Sequence, residues 1–237
     1  MSPDFISTYI ASEQADGRYS KGFLPEELEH LIGPFRTSPL GLVQKPNLSA
    51  LCMIQDMSFP HDSPDISSVN HDINPNDFPT AWGTFEATSS LILSLLIGCV
   101  AATFDISTAY RLTPVRPDQQ HHLCVMWNGL VYVNRAVMFG LSSSAGVFGC
   151  VAIYEAAGFQ PLLKWVDNFF IVHLPGQCWS EQDFMDLTGG IGVPWSVKKT
   201  WPLSMIQRYI GFDWDLTDHT VAIPLDKLSQ VLALLSL

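Results

Sequence analysis

Apolar and polar positions alternate unevenly along the chain. Residues 1–33 are mixed and polar, and the one helix they predict is Pro25–Ile32. Leu40-Gly41-Leu42-Val43 reads as a strand, Pro46-Asn47 as a turn and Leu51–Asp56 as a second strand, together a hairpin. Residues 60–80 hold four prolines among many Asp, Asn and Ser, which predicts a long loop. The core begins near residue 81. A buried helix is expected from about Gly83 to Leu96, then a turn at Gly98 and a strand from Val100 into Asp105. Leu123–Met126 and Leu130–Val133 flank Trp127-Asn128-Gly129, and Asn-Gly is a strong hairpin signal. A Ser/Gly segment from Gly140 to Gly149 opens a helix to about Ala157, ended by Gly158. Leu162-Leu163 and Phe169–Val172 form two strands around a tight turn for which Asp167-Asn168 is an ordinary dipeptide. Ser180-Glu181-Gln182-Asp183 looks like a capped helix start, Val221–Ile223 like a short strand, and a last helix starts at about Leu225. No repeat is present. Helices and strands mix without regular βαβ alternation, which favours the α+β class.

Composition narrows this picture. The 237 residues can bury one good core, or one and a half. A hydrophobic content of 47% against 15% charged residues argues for a packed globular chain. Ala87–Phe104 carries no charge and approaches the length of a membrane span. Its Ser and Thr residues, the break at Gly98 and the absence of flanking Lys or Arg favour a soluble core segment, so no membrane partner is expected. No basic stretch precedes an apolar run at the N-terminus, so no secretory signal is expected. The five cysteines show no CxxC or zinc-type spacing, the closest pair being 25 positions apart. Free thiols in a reducing compartment follow, placing the chain inside the cell, in cytoplasm or nucleus. The net charge of −11 has the wrong sign for a domain that holds nucleic acid alone.

Two segments carry the chemistry. Phe104-Asp105-Ile106-Ser107-Thr108-Ala109-Tyr110 and Lys164-Trp165-Val166-Asp167-Asn168-Phe169-Phe170 each place an aspartate at the end of an apolar, β-prone run. Neighbouring strands would bring the two carboxylates together, a donor set for the divalent metal of phosphoryl transfer. The plain alternatives are that Asp105 caps a short helix, Tyr110 is core, and the Asp-Asn pair only turns the chain.

In order and content these motifs resemble the fingers and palm of a reverse transcriptase, of the type carried by DIRS-like, tyrosine-recombinase retrotransposons, over roughly Phe35 to Leu216. The resemblance implies a polymerase palm, an antiparallel sheet packed on helices, with partial fingers and most of the thumb missing. It divides the chain into an extension at 1–33, a fingers-like segment at 34–80, a palm at 81–216 and the start of a connection at 217–237. It implies an RNA-directed DNA polymerase using Mg²⁺, with Mn²⁺ as an alternative, held by Asp105 and Asp167 beside Asn168. Tyr110 would lie beneath the incoming sugar and exclude a 2′-hydroxyl. Phe139, Gly140 and Ser144 would flank the nucleotide, and Lys45 would touch its triphosphate. Lys198 or Lys199 would protonate the leaving pyrophosphate, with a solvated surface pair as the plain alternative. Tyr209 and Gly211 would belong to the primer-grip hairpin Gln207–Phe212. The implied partners are an RNA or DNA template with its primer, a deoxynucleoside triphosphate, and thumb or RNase H regions or a partner domain. Four features depart from the family pattern. Asn168 replaces an aspartate, Cys52 stands where an arginine would hold the triphosphate, and Ala145 replaces a proline. The helix after the serine loop is also short. The first two leave open a catalytically inactive remnant, or an acidic interaction module on a palm scaffold.

Overall fold

The computed structural model describes residues 2–44, 51–151, 159–189 and 192–235. In chain order the elements are α1 (Pro3–Ala15), α2 (Pro25–Ile32), β1 (Leu40–Gln44), β2 (Leu51–Gln55), α3 (Phe85–Ser94), β3 (Val100–Asp105), β4 (Cys124–Trp127), β5 (Leu130–Val133), α4 (Ser144–Val151), β6 (Leu162–Trp165), β7 (Asn168–His173), α5 (Glu181–Gly189), β8 (Trp201–Ser204), β9 (Ile206–Tyr209), β10 (Phe212–Asp215), β11 (Thr220–Ala222) and α6 (Leu225–Leu235). They form two compact units, Met1–Pro79 with Tyr110–Val151, and Thr80–Ala109 with Ala152–Leu237. This differs from the linear division expected above, which put residues 81–216 in one body. The reason is packing: hairpin β4–β5 uses Val125 and Tyr132 against Ile6 and Ile10 of α1, and Cys124 and Val131 against Leu28 of α2.

In the first unit, α1 is a helix that the sequence pattern did not reveal. Its buried positions are Ile6, Ile10 and Glu13, one face at helical spacing whose third member is charged. Glu13 tolerates burial because two guanidiniums meet it. Arg111 Nε donates to its Oε2 at 3.0 Å and Arg111 Nη2 adds a second bond, while Arg18 donates from Nε at 2.9 Å and from Nη2 at 2.7 Å. Arg111 Nη1 also donates to Asn134 Oδ1 and to the carbonyls of Ala136 and Val137. Burial alone would push the Glu13 carboxyl up. The Arg18 hydrogen bond and the Arg111 charge outweigh it and hold the group below its ordinary 4.5. Hairpin β1–β2 forms as expected, with Leu40 opposite Gln55 through Gln44 opposite Leu51. Its Pro46-Asn47 turn lies outside the described residues. Hairpin β4–β5 closes through Asn128 (φ 50°) and Gly129 (φ 76°), the left-handed pair of a type I′ turn. The long loop contains one 3₁₀ turn, Pro75–Asp77. Helix α4 starts as expected, but its predicted end at Ala157–Gly158 lies outside the described residues.

In the second unit the strand order is β6-β7-β3-β8, all antiparallel, beside a separate sheet β11-β10-β9. Strands β3 and β7 are buried on both faces. One face carries Ala101, Phe170 and Val172 into a cluster with Ile92 and Leu95 from the α3 segment, and with Tyr209 and Trp214. The other carries Phe104 and Phe169 to Trp195 and Phe184, with Phe104 and Phe184 ring centroids 4.6 Å apart. Two-sided burial accounts for the continuous apolar run where a half-buried strand would alternate. Each fully buried phenylalanine contributes about 1.5–3 kcal/mol. The uncharged stretch is thereby divided. Thr84 caps α3 by accepting from Ala87 N, Gly98 (φ 92°) turns the chain, and β3 follows. Among the described residues no helix is long and apolar enough to cross a membrane.

Candidate functional site

Asp105 is the last residue of β3, where Asn168 of β7 stands directly opposite it. Hairpin β6–β7 closes with Trp165 opposite Asn168, so its two turn residues are Val166 and Asp167. The sequence suggested Asp167-Asn168 as the turn, and the observed turn is one residue earlier. Val166 takes a φ of 54°, a costly backbone for a β-branched side chain. The shift matters because directly opposed residues share a face of the sheet. Asn168 is therefore a strand residue on the same face as Asp105, with Asp167 beside them in the turn. The Ile106 amide donates to the Asp167 carbonyl at 2.9 Å and ties this turn to the end of β3.

Asp105 is 7% exposed. Its two carboxylate oxygens accept from Lys199 Nζ at 2.9 and 3.1 Å. Backbone bonds deliver that lysine. Ser107 N donates to Pro194 O and Ser196 N to Asp105 O, both at 2.8 Å, and the 3₁₀ turn Val197–Lys199 follows. Lys198, the other candidate, is exposed and has no ion pair among the described residues. Asp167 has no such partner among the described residues. Burial first, and the nearby Asp105 charge second, push its carboxyl above the ordinary 3.8, against smaller help from its own amide and from Lys199. Asn168 Oδ1 is buried without a hydrogen-bond partner, which for an amide oxygen marks an unfilled role. Among the described residues no group of three or more His, Cys, Asp or Glu side chains could hold a metal. Two carboxylates and an orphaned amide oxygen still fit Mg²⁺, which commonly takes one or two carboxylates and fills its remaining positions with water and phosphate oxygens.

The other expected site residues fare differently. Tyr110 is buried, its ring 4.6 Å from Phe139 and 5.8 Å from Phe148, so Phe139 is the exposed member of that stack. Gly140 has a φ of 102°, and a Cβ there would stand 2.8 Å from the Gln55 carbonyl, so only glycine fits. Asn70, which sequence reasoning missed, holds this loop from both sides. Its Nδ2 donates to Gly140 O at 2.7 Å and its Oδ1 accepts from Ser142 N at 2.9 Å. An asparagine in a loop of asparagines gave no signal of that role. Ser144, expected beside a nucleotide, is buried with its hydroxyl donating to Met138 O, and so braces the loop. Tyr209 is expected in the primer-grip hairpin. Its side chain is wholly buried against Phe170, and burial drives its phenol far above the ordinary 10, so it belongs to the core. The hairpin around it does form, turning through Ile210 (φ 44°) and Gly211 (φ 87°). Cys52 is an exposed free thiol on β2. Lys45 lies outside the described residues, and the trimming expected between Cys150 and Ala152 falls where they break off at Val151.

No family model and no curated protein matches the chain. Solved structures do. It is similar to the foamy viral protease-reverse transcriptase in complex with RNA/DNA hybrid, at a TM-score of 0.67 and 15% identity over 97% of this chain and 28% of that one. The dRH form of the same viral protein with ds DNA gives 0.68 and 15% over 95% and 36%, and its complex with dsDNA 0.65 and 16% over 95% and 42%. The chain thus spans well under half the length of the structures it matches. Antiparallel sheets on helices, matched over nearly the whole chain, give this protein a reverse-transcriptase-like fold.

Proposed function

We propose that the chain is the palm and partial fingers of an RNA-directed DNA polymerase from a DIRS-like retroelement, and that it acts by two-metal nucleotidyl transfer. The observation that carries this is the convergence of Asp105, Asp167 and the orphaned Asn168 oxygen at one end of β3 and β7, within a reverse-transcriptase-like fold. When bound, Mg²⁺ or Mn²⁺ would activate the primer 3′-hydroxyl and stabilise the leaving oxygen. The residues' own part is electrostatic. Asp105 offers two oxygens, and Asp167 supplies negative charge that the protein leaves largely unneutralised. Asn168 adds a neutral oxygen where a third carboxylate would hold the ion more firmly. Lys199 is the cation at the site.

The proposed partners are a primed RNA or DNA template and a deoxynucleoside triphosphate. The similar viral structures hold RNA/DNA hybrid or dsDNA, which supports this assignment. The charge balance of 12 Lys and Arg against 23 Asp and Glu implies weak binding by this chain alone. Arg18, Arg36, Arg111, Arg116 and Arg208 are already tied to the chain's own carboxylates. Thumb or RNase H regions, or a partner domain, would supply the missing grip. The amide at Asn168 and the Lys199 pair favour a second reading, a folded palm without turnover.

Primer extension on an RNA template separates the two. The expected result is weak, metal-dependent incorporation that Asn168→Asp raises and Asp105→Asn abolishes. No incorporation by the parent chain or by Asn168→Asp, in either Mg²⁺ or Mn²⁺ and with a thumb supplied in trans, would establish the inactive remnant.

A further inference from the structure

We propose that Lys199 is an internal counter-cation that competes with divalent metal for Asp105, so that metal enters only as the ion pair opens. The inference rests on the reading of Asp105 as a metal ligand and adds a device that controls it. The ammonium bonds both Asp105 oxygens, at 2.9 and 3.1 Å, so while the pair stands each oxygen already faces a cation that repels an incoming one. The pairing is built in. Ser196 N donates to the Asp105 carbonyl, and Ile106 bridges Trp195, so the lysine's turn is stitched to the strand whose carboxylate it covers. The carboxylate is 10% exposed and the lysine side chain 63% exposed. One end of the pair is therefore fixed and the other reaches out into water, the arrangement of a displaceable cap. The pair is weak for the same reason, since solvent screens it. A doubly charged ion gains more from two adjacent carboxylates than one ammonium does, so it wins the contest at sufficient concentration. Lys199 also reaches only one of the two carboxylates at bonding distance. Asp167 remains poorly compensated, and this leaves a standing attraction for the incoming ion.

The test is Mn²⁺ binding to the full chain, read from the loss of the free-ion electron paramagnetic resonance signal, with no polymerase readout. Lys199→Met is expected to bind Mn²⁺ about two- to fivefold more tightly than the parent, the factor set by the strength of a half-exposed ion pair. Lys199→Arg, which keeps charge and reach, should bind like the parent. Lys198→Gln removes a neighbouring exposed charge that has no ion pair among the described residues, and should shift affinity less than Lys199→Met does. Equal affinities in the parent and Lys199→Met would overturn the proposal, as would an equal gain in Lys198→Gln, which would point to the general field in place of the contact. Asp105→Asn separates this from the larger reading. If it binds Mn²⁺ as well as the parent does, the metal site itself is misassigned. If it loses binding while Lys199→Met gains none, the site stands and only the competition fails. Near-ultraviolet circular dichroism of each variant confirms that the fold is kept.

Discussion

Two acids in this chain, one buried and one half-buried, have opposite fates. Glu13, in the first unit, meets two guanidiniums and lies below its ordinary pKa. Asp167, in the second, is pushed above its own by burial and then by another carboxylate. Both are carboxyls removed from water, and the sign of each shift follows from what surrounds them. A compensated acid is part of the framework. An acid left without compensation, next to a second acid and an orphaned amide oxygen, is the pattern expected where a cation is to be supplied from outside. Asp105 stands between these cases, compensated by one displaceable lysine.

The largest effect should come from breaking the compensated acid. Arg111→Met leaves Glu13 buried with Arg18 alone and takes the guanidinium from the Ala136 carbonyl, while Asn134 Oδ1 keeps only the Ala136 amide. The expected loss is about 3 kcal/mol, the lower end for a broken buried pair because Arg18 remains. Urea unfolding measures it. Adding Glu13→Gln to Arg111→Met should recover part of the loss, since the stranded charge goes. If the double variant is no more stable than Arg111→Met, buried charge is not the cause.

Next comes the opposite operation, adding charge to the uncompensated acid. Asn168→Asp places a third carboxylate opposite Asp105. It should lower the melting temperature without metal and raise Mn²⁺ affinity on the order of tenfold. Unchanged affinity by calorimetric titration would remove Asn168 from the donor set.

The smallest effect should come from relieving Asp167. Asp167→Asn is expected to stabilise the metal-free chain at neutral pH by about 1 kcal/mol or less, because the site is half-exposed and screened. The pH dependence has a definite sign. A folded-state pKa above 3.8 means that the parent is at no disadvantage below 3.8 and becomes less stable than the variant as pH rises through the folded value. The gap in melting temperature between variant and parent should therefore open on going from acid toward neutral pH. Glu13 behaves in reverse. Its contribution is complete above 4.5 and is lost as pH falls through its depressed value, so Glu13→Gln should show its deficit at neutral pH and lose it in acid. A gap for Asp167→Asn that stays flat from acid to neutral pH would break the contrast between the two acids.

Much of the local structure could be read from the chain itself, because its causes lie within a few residues. Proline at the start of α2, Asn128-Gly129 in its hairpin and Ser180 with Asp183 at the head of α5 all act locally. The apolar runs at β3 and β7 were long enough to be read as strands, and so were the aspartates at their ends. Three things depended on partners distant in sequence. Glu13 hides α1, since a charge on a helix's buried face is legible only once Arg111, 98 positions away, is seen to neutralise it. Tyr209 could not be told from a surface aromatic until Phe170 was found packed on it. The choice between adjacent Lys198 and Lys199 had no sequence signal, and backbone pairing of Ser196 with Asp105 made it. Register decided the site. The sequence alone placed an aspartate at the end of each of two apolar runs. Only the tertiary structure placed the turn at Val166-Asp167 and so set Asn168 opposite Asp105, because a one-residue shift in a strand exchanges the faces of every side chain that follows.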